Sequence, residues 1–188
     1  DGAKTVSSSD STSFTYVAVN GASGNGQTYP KRIEVGATAG YSIGDEVMII
    51  QMTGTGQGNW EYCDLANLVT NDYLECENDL SNAYASSGAQ VVRIPQWTDV
   101  TIQSGGTLTT SAWNGTTGGV IAFRATGTIN VNSGGVITAT GLGFDDEGPG
   151  EGGGSGGGAG GGGTNPAAGG GGGGGGGQGG CYGAAASY

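Results

Sequence analysis

The sequence predicts an all-β chain: a short-stranded sandwich or barrel leading into β-solenoid-like rungs, then a glycine-rich, polyglycine II-like C-terminal tract. Three observations carry this. Between residues 29 and 94, short apolar runs alternate with Gly, Asn, Asp and Ser turns, at the roughly ten-residue spacing of a sandwich or small barrel. "VTIQSGGTLTT" at 100–110 realigns with "INVNSGGVITA" at 129–139. Each copy alternates apolar and polar residues around Ser-Gly-Gly, the punctuation of a coiling solenoid. Gly supplies 45 of 188 residues and crowds the end of the chain. The boundaries that follow are an N-terminal arm and candidate donor strand at 1–20, a sandwich or barrel at 21–95, solenoid-like repeats at 96–144 and the glycine-rich tract at 145–188.

"DGAKTVSSSDST" is polar and unpatterned and reads as an exposed arm; its start reads as a processed, mature N-terminus. "SFTYVAVNG" follows, with Phe14 and Tyr16 on one face and Val17 and Val19 on the other. Both faces are apolar, as in a strand buried on two sides. It suits an ordinary first strand or a strand donated to a neighbouring subunit, so Phe14, Tyr16, Val17 and Val19 are candidate subunit contacts.

In the middle of the chain, "KRIEVG", "EVMIIQM", "NWEYCDL", "YLECE" and "AQVVRIP" read as strands. The stretch "CDLANLV" has the one spacing that also suits a short helix. Cys63 and Cys76 sit in two of these runs, and a disulfide between them would close a short loop and stabilise by ~3 kcal/mol. Cys181 is then left free or bonded to another chain. Three cysteines without histidine or a Cys-x-x-Cys pair do not suit zinc.

The repeat places Val, Ile and Leu inward on stacked rungs, with a plain β-meander as the alternative. Two copies are fewer than the roughly three that a solenoid needs, so something must cap or continue the column. Beyond Phe144 no apolar side chain larger than Ala or Pro appears until Cys181, and such a segment cannot build an ordinary core. Order in the nine-glycine run at 169–177 would have to come from backbone bonds. Polyglycine II helices, three residues per turn, leave their N–H and C=O groups for neighbouring helices. Gly169, Gly173 and Gly177 are therefore candidate contacts with other runs or other copies.

Five basic against sixteen acidic residues give a net charge of −11. That excludes the basic face a nucleic-acid partner requires, and there is no apolar run long enough to span a membrane. A Ser-, Thr-, Asn- and Gly-rich chain poor in Lys suits the extracellular side or a cell surface.

Histidine is absent, which removes Ser-His-Asp and Cys-His catalysis. The glycine runs carry no Lys for a phosphate-binding loop. Asp45, Glu46, Glu61 and Asp64 lie near strands, yet nothing singles out a catalytic pair, and the expectation is that the chain is not an enzyme. Asp145, Asp146 and Glu147, with Glu151, could hold Ca²⁺ in a glycine-rich loop, although a solvated acidic turn explains them as well; no other cofactor is expected. Trp60, Trp97 and Trp113, with the eight tyrosines, are candidates for a sugar-stacking face, or for half-buried sheet aromatics. Asn114 opens "NGT", a possible glycosylation acceptor.

"AWNGTTGGVIAFRATGTINVNSGGVITATGLGF" followed by polyglycine resembles secreted bacterial glycine-rich β-proteins. More distantly it is similar to tail-tip adhesins of bacteriophages, whose glycine helices stack into a sandwich. The resemblance implies no catalytic residues. The expected function is an extracellular structural protein, a subunit of a filament or surface assembly of identical copies. The alternative is an adhesin or carbohydrate-binding protein of the phage tail-tip kind, with surface glycans as partners.

Overall fold

Every regular element among the described residues, 1–144, is a β-strand, sixteen in all, in this computed structural model. The expectations for Gly169, Gly173, Gly177, Asp145, Asp146, Glu147 and Cys181 fall outside those residues.

The chain opens with β1 (Lys4–Val6) and β2 (Ser9–Asp10), then enters an antiparallel body. This body comprises β3 (Tyr16–Ala18), β4 (Ser23–Gly24), β5 (Arg32–Glu34), β6 (Glu46–Gln51), β7 (Trp60–Val69), β8 (Tyr73–Cys76), β9 (Ala83–Tyr84) and β10 (Ala89–Arg93). Six of these strands form one sheet in the order β3-β10-β6-β7-β8-β5, while β4 and β9 pair separately. The large sheet curls until its two edge strands meet. Val19, just after β3, bridges Val35, just after β5, and the Asn20 N–H donates to the Glu34 carbonyl at 2.9 Å. The curl is that of a half-barrel, nearer to the barrel than to the sandwich of the two predicted forms. Its interior is filled by the inward side chains of alternating strands, among them Val19, Ile33, Val47, Ile49, Leu65, Leu74 and Val91. Cys63 and Cys76 are joined by a disulfide from β7 to β8, Cα to Cα 5.6 Å. "CDLANLV" is strand, not helix: Cys63 and Leu65 take the inward positions with period two, Cys63 paired with Val47 of β6 and Leu65 with Cys76 of β8.

After the barrel come β11 (Gln96–Trp97), β12 (Val100–Ile102), β13 (Thr107–Leu108), β14 (Arg124–Ala125), β15 (Ile129–Val131) and β16 (Val136–Ile137). Here all pairing is parallel. The two repeat copies stack in register, Val100 on Ile129 and Thr107 on Val136. A meander would pair antiparallel, so the rungs are those of a solenoid. The missing third rung is the N-terminal segment. β1 pairs with β12 and β2 with β13, giving the orders β1-β12-β15 and β2-β13-β16. The reading of residues 1–12 as an exposed arm is thus corrected. Their polarity hid a rung because only Val6 points into the column; it packs with Phe14, Ile102 and Leu108. The barrel is inserted between the first rung and the second.

The repeated Ser-Gly-Gly has a steric cause. Gly105 and Gly134 turn the corner at φ 78° and 82°, a region that side chains disfavour. Gly106 and Gly135 follow, where a Cβ would lie 2.3 Å from the Val6 carbonyl oxygen and 2.8 Å from that of Ile102. The second glycine of each corner lets one rung settle on the last. The first rung has no other rung beneath it among the described residues and carries no glycine at its corner.

Candidate functional site

Barrel and solenoid meet across one face of the curled sheet. Along β7 the period of two sends Glu61, Cys63 and Leu65 one way and Trp60, Tyr62 and Asp64 the other. Their neighbours on β6 are Ile50, Met48 and Glu46 in turn. Residues 118–123 run over this outer face. Val120 and Ala122 cover Met48, Val92 and Ile94, and the Gln90 side chain holds the segment by accepting from the Gly118 N–H at 2.8 Å and donating to its carbonyl at 2.9 Å. The covering segment does not reach β7. Trp60 and Tyr62 are left 54% and 44% exposed, edge to face at 5.4 Å.

The segment ends at Arg124, which borders the aromatic pair. Its guanidinium lies 5.2 Å from the Tyr62 ring and grips the Glu46 carboxylate with two nitrogens. Gln96 donates to the same carboxylate at 2.7 Å. The Arg124 hydrogen bonds hold the Glu46 carboxyl below its usual range against the opposing effect of burial. Glu46 is therefore an anion at neutral pH, and the exposed guanidinium keeps its charge. The result is an exposed ledge with an aromatic floor and a fixed polar border of Arg124, Glu46 and Gln96.

The three tryptophans do not converge. Trp97 is buried in the solenoid column against Phe14 and Phe123, and Trp113 packs edge-on against Phe144 at 6.0 Å. Arg124 was missed from sequence, and Tyr62 stood only as one of eight tyrosines, although the alternation in "WEYCD" places Trp60 and Tyr62 on one face once Cys63 is assigned inward. The four carboxylates named from sequence separate as well. Asp45 pairs with Arg93 at 3.0 Å. Glu61 accepts from the backbone N–H groups of Ser81 and Asn82 and from the Tyr84 hydroxyl, which fastens a loop. Glu46 and Asp64 lie opposite each other on the ledge.

Phe14, Tyr16, Val17 and Val19 pack within the chain's own cores. β3 pairs with β10 of the same chain. Asn114 lies on an exposed turn, where its Oδ1 accepts from the N–H groups of Thr116 and Thr117. No helix among the described residues is long and apolar enough to cross a membrane. No group of three or more Cys, Asp or Glu side chains is placed to hold a metal ion among those residues.

An all-β chain with an exposed aromatic ledge on a barrel–solenoid junction is the class that fold and site define. No protein-family model matches it, and no curated protein matches its sequence. Two solved structures are similar. One is the tailspike of Acinetobacter baumannii bacteriophage AP22 in complex with A. baumannii capsular saccharide, at 10% identity and TM-score 0.36, covering 74% of this chain and 30% of that one. The other is the tailspike of Pseudomonas phage phi297, at 13% identity and TM-score 0.38, covering 68% of this chain and 22% of that one. The chain spans less than a third of either tailspike. The expectation that the chain is not an enzyme is overturned by the same two tailspikes and is withdrawn.

Proposed function

We propose that this is an extracellular glycan-binding protein of the adhesin kind, and that the ledge formed by Trp60 and Tyr62 is its binding surface. The carrying observation is the exposed Trp60–Tyr62 pair beside the Arg124–Glu46–Gln96 network. A pyranose ring presents an apolar C–H face and a rim of hydroxyls. An exposed aromatic pair offers the matching apolar surface, and charged hydrogen-bonding groups fixed at its border meet the rim. The network is held before any ligand arrives, so little side-chain freedom remains to be lost on binding.

The test is titration of purified chain with a panel of bacterial surface polysaccharides, alongside Trp60→Ala and Tyr62→Ala variants. Each variant should weaken binding by about tenfold or more, ~1.4 kcal/mol, with an unchanged melting temperature because both rings are exposed. Unaltered affinity in both variants would remove the ledge as the site. Following the same mixtures for release of reducing ends tests directly whether a bound glycan is cut.

A further inference from the structure

We infer that the open end of the solenoid is a self-association surface, at which the edge of β15 pairs with β15 of a second copy. This is independent of the glycan ledge. The inward column runs through three registered positions, Val6, Ile102 and Val131. Their exposures are 2%, 0% and 46%. The first rung is closed by the chain itself; the last is open among the described residues, and Ile129, stacked on Val100, is likewise 50% exposed. β15 is also an edge strand, so one side of its backbone has no partner strand among the described residues.

Edge strands are normally protected by charge, proline or a covering element. The other edge of this solenoid follows that rule, with Lys4 and Asp10 on its two strands, paired at 2.5 Å. The last rung does not. No Asp, Glu, Lys or Arg occurs between Arg124 and Asp145, in a chain whose net charge is −11. The last rung itself therefore adds no like charge to a contact between two copies.

The occupant must supply an apolar strand with period two. Residues 145–188 contain no Val, Ile, Leu, Met, Phe or Trp and cannot repeat the rung pattern. β15 itself has it and is self-complementary. In an antiparallel pair centred on Asn130, Ile129 faces the partner's Val131, and Val131 faces the partner's Ile129. Such a two-fold contact closes after two copies. One rung end is small beside the ~800 Å² per partner of a standard interface, so the dimer dissociates at about micromolar concentration, and added salt strengthens it by screening the acidic chains.

Sedimentation of the full chain over a concentration series, at low and high salt, tests this. A monomer–dimer equilibrium is expected, with Val131→Lys weakening it by about tenfold or more at an unchanged melting temperature. Ile43→Lys, at an exposed apolar site on the barrel, should leave it unaltered. A monomer at every concentration, or a dimer indifferent to Val131→Lys, would overturn the proposal. So would protected Ile129 and Val131 amides in hydrogen exchange on the monomer, since the chain's own residues would then cover the edge.

Discussion

Asp10 shows how one residue of the first rung ties the start of the chain down. Burial pushes its carboxyl up, but the Lys4 ammonium, the Thr12 N–H and the Ser13 hydroxyl outweigh burial and bring it from 3.8 to about 2. A carboxyl lowered on folding stabilises above its unfolded value and loses that contribution as pH falls through the folded one. Acid titration of stability should therefore show a loss between pH 3.8 and about 2, and Asp10→Asn should flatten that part of the curve. A variant as acid-sensitive as the parent would mean that Asp10 does not carry the effect. Nothing local in "KTVSSSDST" announces this role. The lysine that lowers Asp10 is six positions away, and the two meet only because both strands are fixed by β12 and β13.

At the scale of the element, the rungs were legible and their full number was not. Ser-Gly-Gly at 104–106 and at 133–135 marks two corners, and the carbonyl 2.3 Å from a Cβ at Gly106 explains the second glycine. Gly106→Ala should lower stability by about 2–3 kcal/mol, the usual cost of forcing added volume into a packed site, read as a lower midpoint in urea. Gly44→Ala is the matched control: its Cβ meets nothing within 4 Å, so only the cost of its φ of 87° remains. Equal losses in both variants would show that stacking does not crowd the corner. The first rung escaped notice because "KTVSSSD" lacks the Ser-Gly-Gly corner that marks the other two. The barrel strands were easier. In "EVMIIQM" and "AQVVRIP" the apolar runs are long enough to show through without knowledge of their partners, whereas the curl depends on a contact between Val19 and Val35 that no local pattern contains. The ledge was half visible: Trp60 stands out by type, but Arg124 reaches it from a distant strand.

Across the whole molecule, barrel and solenoid are fastened by Tyr16. It extends β3, packs into both neighbouring clusters, donates its hydroxyl to the Val120 carbonyl at 2.6 Å and shares a hydrogen bond with Thr110 at 2.5 Å. Tyr16→Phe should cost about 1–3 kcal/mol by leaving those oxygens short of a partner. Calorimetry should show a lower melting temperature; an unchanged one would place the fastening elsewhere, at Gln90 and Gly118. The insertion of the barrel between the first and second rungs has a further consequence, for birth rather than for stability. Residues 4–10 leave the ribosome long before residues 100–108, on which they must lie. At about 5–20 residues per second the wait is on the order of ten seconds. Throughout that interval β1 and β2 wait for β12 and β13, and closure of the barrel delivers the strands to each other.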